Sequence, residues 1–85
     1  MSIEEKTGIL IKNNLRALIA IANSKNGFSY LKECSDTQEY IDLNTLSLPE
    51  YKILLKGDNK DKSYYTFAIT RIGKIELKKH FPRRN

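Results

Sequence analysis

Apolar positions near the start of the chain recur at the spacing of an α-helix. Intervals of three, four and seven residues place one group on a single helix face: Ile11, Leu15, Leu18, Ile19 and Ala22. Ser2 followed by Glu5 fits a capping box, in which the hydroxyl accepts from a free backbone N–H and the carboxylate reaches back. The pattern predicts a helix from about residue 3 or 8 to residue 22, ended by Asn-Ser-Lys-Asn-Gly at 23–27.

A second apolar group widens the hydrophobic surface of this helix. Leu10, Ala17 and Ile21 fall on an adjoining face, so apolar side chains cover more than half of its circumference at about 100° per residue. Exposed apolar surfaces of this kind often mark interfaces. We therefore predict a homodimer through these three residues, with coverage by the C-terminal segment as the alternative.

The middle of the chain predicts two short helices. Phe28, Leu31 and Cys34 recur at helical spacing, and Ser29 is a suitable cap for a helix there. A second helix is predicted from residue 36 or 37 to residue 46. Two short helices separated by about three residues have the shape of a helix-turn-helix.

Two segments with the composition of β-strands follow along the chain. Residues 51–56 (YKILLK) and 64–70 (YYTFAIT) are rich in aromatic and branched side chains and predict two strands. The polar stretch 57–62 (GDNKDK) between them predicts a hairpin loop. For residues 71–80 we predict a helix capped by Thr70, with a third strand as the alternative because apolar and polar residues alternate there.

Charge is distributed unevenly over the 85 residues, which we predict to form one domain (1–85) with a flexible tail from about residue 82. The net charge is +5, with −2 on residues 1–50 and +7 on residues 51–85. Such asymmetry points to a polyanionic partner. The chain has one cysteine and no apolar run long enough to span a bilayer, so we expect no membrane association and a cytoplasmic location, or a host-cell interior if the protein is viral.

Residues 64–77, Tyr-Tyr-Thr-Phe-Ala-Ile-Thr-Arg-Ile-Gly-Lys-Ile-Glu-Leu, contain a Thr-x-x-Gly-x-x-x-Leu segment after a strand. This block resembles the end of the winged helix-turn-helix DNA-binding domains. The resemblance implies an α+β fold with three helices, a two-stranded wing hairpin and a C-terminal helix. It also implies a small transcriptional regulator that binds double-stranded DNA.

In that family the second helix of the pair reads bases in the major groove while the wing contacts the backbone. The resemblance implies that the outward side chains of 37–46 read bases: Thr37, Gln38, Tyr40, Asn44 and Thr45. It implies phosphate contacts by Lys56, Lys60 and Lys62 of the wing. Three residues of the closing helix extend that surface: Arg71, Lys74 and Lys78.

Acidic residues in the segment 33–42 oppose this interpretation. Glu33, Asp36, Glu39 and Asp42 are accompanied by no basic residue in 33–42, and carboxylates near phosphates repel them. The segment could instead contact a protein, which makes an interaction module, such as an accessory or inhibitor protein, one alternative. A single-strand or RNA binder that stacks bases on the aromatic strand at 64–67 is another.

The sequence contains few candidates for catalysis or for metal binding. Cys34 is predicted to be a buried core thiol and His80 a surface residue. The glycines match no phosphate-cradling spacing, and Asp58 and Asp61 among lysines make a poor calcium site. We expect no catalytic residue, no metal and no cofactor.

Overall fold

The computed structural model describes residues 1–81; the prediction of a flexible tail from residue 82 lies outside this range. The described chain is a mixed α+β structure. It consists of the helices α1 (Ile3–Asn13), α2 (Leu15–Ala22), α3 (Gln38–Leu46) and α4 (Arg71–Lys78), the strands β1 (Phe28–Leu31), β2 (Leu54–Asp58) and β3 (Tyr64–Ile69), and a 3-10 turn (Lys32–Cys34).

The three strands form one antiparallel sheet with β3 in the centre, in the order β1-β3-β2. Tyr30 of β1 and Asp58 of β2 both pair with Tyr65 of β3. Phe67 is fully buried on the helix-facing side, whereas Leu55 on the other side is 63 % exposed. Side chains alternate between the two faces because their period along a strand is two.

The core lies between the inner sheet face and the helices. α2 packs on β3 and α4, and α3 packs on α1 and β2. Ile21 belongs to this core and is 1 % exposed, while Leu10 and Ala17 are half-buried against it. The second apolar face of the first helical segment is thus covered largely within one chain, and Ile19 is the large apolar residue that α2 leaves exposed.

The prediction of one continuous first helix is wrong at Asn14. This residue separates α1 from α2, and its side chain is 7 % exposed. Its amide Nδ2 donates to the carbonyl of Leu10 at 2.8 Å and to Asp42 Oδ2 at 2.9 Å. The other carboxylate oxygen of Asp42 accepts from Gln38 Nε2 at 2.8 Å. A buried carboxylate needs such partners, and this one fixes α3 against the junction of α1 and α2.

The prediction of a helix over 28–34 is also wrong. Residues 28–31 form β1, which pairs with β3 so that Phe28 lies opposite Phe67. Only the 3-10 turn follows, so the expected pair of helices is reduced to that turn and α3. Cys34 in the turn is partly exposed and not a buried core thiol. Aromatic cross-strand pairs stabilise β1 more than three apolar residues at helical spacing would stabilise a short isolated helix.

The hairpin and the closing helix are confirmed, with strand bounds shifted by up to three residues in β2. Thr70 caps α4: its Oγ1 accepts from the Gly73 backbone N–H at 2.9 Å, and its hydroxyl lies 2.5 Å from the carbonyl oxygen of Lys52. Gly73 is buried, and a Cβ atom there would collide with the carbonyl oxygen of Ile53. The Thr-x-x-Gly pattern therefore fixes the start of α4 against the start of β2.

Candidate nucleic-acid interface

The hairpin loop presents two of the predicted phosphate-binding lysines. Lys60 and Lys62 are exposed, and neither forms an ion pair or side-chain hydrogen bond within residues 1–81. Asn59 Oδ1 accepts from the Asp61 backbone N–H at 3.0 Å, which is the local turn chemistry that asparagine favours. The loop therefore holds both ammonium groups in water, available to an anion.

Lys32 holds the base of this loop through contacts that no pattern in the sequence indicated. Its Nζ lies 3.0 Å from Asp58 Oδ1 and donates to the backbone carbonyl of Asn59 at 3.1 Å. It also lies 5.2 Å from the centroid of the Tyr65 ring. A residue just after β1 thus holds the start of the loop, because β1 and β3 are neighbours in the sheet.

Lys56, the third predicted wing lysine, faces the protein. Its Nζ donates to the Tyr40 hydroxyl at 2.5 Å and to Asn44 Oδ1 at 2.8 Å. The same ammonium lies 4.2 Å from the ring centroid of Tyr65 and 5.0 Å from that of Tyr40. Lys56 pairs with the buried Phe67, which places both side chains on the inner sheet face. The hydrogen bonds of this ammonium group connect β2 to α3.

Aromatic residues of β3 pack against Tyr40 of α3, next to the Lys56 ammonium. The Tyr40 and Tyr65 rings stack with centroids 5.3 Å apart, and Phe67 packs edge-on against Tyr40 at 6.3 Å. Tyr64 points to the opposite face, because it neighbours Tyr65 along the strand. Tyr65 and Phe67 therefore both face the helices, and of the three aromatic residues proposed to stack bases only Tyr64 is directed outward.

The side chains of α3 predicted to read bases have partners within the protein. Thr37 is the N-cap, where its Oγ1 accepts from the Tyr40 backbone N–H at 3.2 Å and its hydroxyl donates to the Cys34 carbonyl at 2.8 Å. Gln38 donates to Asp42, and Asn44 accepts from Lys56. The hydroxyl of Thr45 donates to the backbone carbonyl of Ile41 at 2.9 Å. Base contact by these groups would have to displace these bonds.

Other side chains form the outward surface of α3. Ile41 is 47 % exposed and Leu48, just beyond the helix, is 40 % exposed. Three acidic residues near the helix start are exposed: Glu33, Asp36 and Glu39. No lysine or arginine occurs from residue 33 to residue 51. The side of α3 that carries Ile41, which we call the α3 ridge, is therefore apolar and without cations, whereas Glu39 lies on the opposite side of the helix, close to Tyr30.

The predicted cations of α4 form a separate cluster. Arg71, Lys74 and Lys78 are exposed at intervals of three and four residues, and therefore lie along one side of the helix. α4 begins where β3 ends, so the hairpin loop lies at the other end of that strand, about 20 Å away at about 3.3 Å per residue. The cationic residues thus form two clusters at opposite ends of the hairpin.

Tyr30 of β1 lies beside the start of α3. Burial raises the pKa of the Tyr30 phenol above its ordinary value, and the negative charge of Glu39 adds to the effect. The Tyr30 hydroxyl lies 3.1 Å from Thr37 Oγ1 at the start of α3. Among residues 1–81 no group of three or more histidine, cysteine or acidic side chains is arranged to hold a metal ion.

Comparison of the chain with models of known families, with curated proteins and with solved structures found no match. None of the helices within residues 1–81 is long and apolar enough to cross a membrane.

Proposed function

We propose that the protein binds double-stranded DNA through phosphate contacts at the two ends of its hairpin. Lys60 and Lys62 would bind from the loop, and the arginine and lysines of α4 from the opposite end. The observation that carries the proposal is the exposure of these cations without ion-pair partners in the described chain. Such cations gain the most free energy on binding a polyanion, because they lose no internal ion pair. Their binding also releases the counterions of the polyanion.

This proposal treats the fold as a variant of the winged helix. The hairpin and the closing helix fit that interpretation, and a 3-10 turn stands where the first helix of the pair was expected. Lys56 is assigned to the interior, because its ammonium is bonded to Tyr40 and Asn44. Backbone contacts alone carry no sequence information.

Base reading by α3 is not part of the proposal. The α3 ridge would present Ile41 and Leu48 to the groove, and neither side chain can form a hydrogen bond with a base edge. We therefore expect affinity to vary little with duplex sequence. A role in transcription would then depend on occupancy of DNA more than on recognition of one operator.

Fluorescence anisotropy with short labelled duplexes over about 50 to 300 mM salt tests the proposal. We expect the logarithm of the binding constant to fall linearly with the logarithm of salt concentration. The slope should lose about two in Lys60→Ala/Lys62→Ala and about three in Arg71→Ala/Lys74→Ala/Lys78→Ala, since each phosphate contact contributes about 0.9.

Lys6→Ala/Lys12→Ala is the matched control, because it removes two exposed charges from α1. The control should retain the wild-type slope. Absence of duplex binding at the lowest salt would refute the proposal. Equal loss in all three variants would show that net charge alone drives binding, and the assignment to the hairpin ends would then be wrong.

A protein-interaction module is the second candidate, and the α3 ridge favours it. Exposed apolar side chains such as Ile41 and Leu48 are more typical of a protein interface than of a solvated helix face. Under this alternative the protein would bind a basic partner tightly and a duplex weakly even at low salt. Single-strand binding through stacked aromatics is not favoured, because Phe67 is buried and Tyr65 faces inward.

A further inference from the structure

The hairpin loop 59–63 contains a hydrogen-bonded turn that carries both of its exposed lysines. The backbone N–H of Lys62 donates to the carbonyl of Asn59 at 3.0 Å, which is the closing bond of a β-turn. The side chain of Asn59 accepts from the backbone N–H of Asp61 and stabilises the same turn. The Asn59 carbonyl therefore closes the turn that presents Lys60 and Lys62.

Lys32 is bonded to both ends of this loop. Its backbone N–H donates to the carbonyl of Ser63 at 2.9 Å, just before β3 begins. Its ammonium donates to the carbonyl of Asn59 at 3.1 Å and lies 3.0 Å from Asp58 Oδ1. One residue thus connects the two ends of the loop, and its side chain does so at the carbonyl that also closes the turn.

The same ammonium neutralises the carboxylate at the start of the loop. The side chain of Asp58 is 50 % exposed and that of Lys32 is 28 % exposed. An unpaired carboxylate at this place would attract the loop lysines and repel phosphates. The Lys32 ammonium is engaged in these internal contacts, whereas Lys60 and Lys62 extend into water.

We propose that Lys32 is the positioning residue of the DNA contact made by the hairpin loop. It holds the turn in the conformation in which Lys60 and Lys62 meet phosphates together, and it neutralises Asp58 beside them. This inference rests on the proposed function. A loop that is ordered before binding loses less conformational entropy on the duplex, so its affinity is higher without any additional contact. Loss of the Lys32 side chain should therefore weaken binding while the number of phosphates contacted stays the same.

Lys32→Met removes the ammonium and retains most of the aliphatic stem. We expect this variant to bind a short labelled duplex about tenfold more weakly than the wild type in anisotropy titrations. Its salt slope should equal that of the wild type, because the slope reports phosphate contacts and not the order of the loop. Lys32→Arg, whose guanidinium can donate to the same two acceptors, should recover most of the affinity. Lys12→Met is the matched control, since it makes the same chemical change at an exposed position of α1, and it should bind about as tightly as the wild type.

NMR relaxation of the backbone amides measures the order of the loop in the free protein, without DNA. We expect order parameters near about 0.85 for residues 60–62 in the wild type and below about 0.6 in Lys32→Met. Circular dichroism verifies that each variant is folded.

Three results would overturn the inference while the wild type still binds DNA. The first is a duplex affinity that Lys32→Met leaves unchanged or reduces no more than Lys12→Met does. The second is a loop whose order parameters are the same with and without the Lys32 ammonium. The third is a salt slope that falls by about 0.9 in Lys32→Met, because Lys32 would then contact a phosphate itself. A wild-type protein that binds no duplex at the lowest salt refutes the proposed function instead, and the role of Lys32 in DNA binding with it.

Discussion

Replacing Lys56 by methionine removes the charge of a side chain that connects β2 to α3. Its ammonium donates to the Tyr40 hydroxyl at 2.5 Å and to Asn44 Oδ1 at 2.8 Å, and lies 4.2 Å from the Tyr65 ring centroid. A hydrogen bond to a charged group contributes about 1.5–3 kcal/mol and a cation–π contact about 0.5–1 kcal/mol. In Lys56→Met, water can solvate part of the freed polar groups of Tyr40 and Asn44, because the site is only half-buried. The methionine side chain also retains the packing of the lysine methylene groups. We therefore expect the free energy of unfolding to fall by about 2 kcal/mol.

Urea denaturation followed by circular dichroism measures this loss, and thermal unfolding should show a decrease in Tm of about 10 °C. Lys60→Met is the matched control, because it makes the same chemical change at an exposed loop position. We expect that control to lose less than about 0.5 kcal/mol. The salt dependence of duplex binding should be unchanged in Lys56→Met, since its ammonium faces α3.

Two results would refute this account of Lys56. A loss of stability below about 0.5 kcal/mol would mean that the hydrogen bonds to Tyr40 and Asn44 contribute little. A decrease of about one in the salt slope would mean that the ammonium contacts a phosphate instead.

The remaining predictions concern the closing helix and Tyr30. Gly73→Ala should lower the free energy of unfolding by about 2 kcal/mol, because the added methyl group meets the Ile53 carbonyl and lies 2.8 Å from Ile69 Cγ1. Gly8→Ala, whose methyl group would lie 4.0 Å from His80, should instead stabilise α1 by about 0.5–1 kcal/mol. Urea titration of both variants distinguishes crowding at Gly73 from the general effect of replacing a helical glycine by alanine. The raised pKa of Tyr30 stabilises the fold fully below the unfolded-state pKa, and this contribution is lost as pH rises through the folded pKa. The stability advantage of the wild type over Tyr30→Phe should therefore shrink above about pH 10, and a difference that stays constant with pH would contradict this expectation.

The elements that could be predicted from the sequence are those with local signals. Ser2 and Glu5 mark the start of α1, and the structure has the corresponding hydrogen bond from the Glu5 N–H to the Ser2 hydroxyl at 3.2 Å. Thr70 and Gly73 likewise mark the start of α4 through a bond that spans three residues. Each of these capping bonds joins residues three positions apart, so a pattern of residue types suffices to find it.

The elements that were missed depend on distant partners. β1 exists because Tyr30 pairs with Tyr65, 35 positions later, and four residues are too few for their own periodicity to distinguish strand from helix. The break at Asn14 depends on Asp42 in the same way.

Only part of the candidate site could be predicted from the sequence. Exposure of Lys60 and Lys62 follows from the composition of the loop. The inward direction of Lys56 depends on a register that sets it beside Phe67, and a one-residue shift would have turned it to solvent. The polar groups of α3 were expected to face outward, yet Asn44 and Gln38 have found partners within the fold.

The central place of β3 in the sheet also bears on how the protein reaches its native state. β2 and β3 are joined by a short loop and can pair early, since closing a small loop costs little entropy. β1 has β3 as its only strand partner in the described sheet and must close a much longer loop to reach it. We therefore infer a folding nucleus built around the hairpin, with β1 added late. Weakened pairing of β1 would then accelerate unfolding while refolding stays near its original rate.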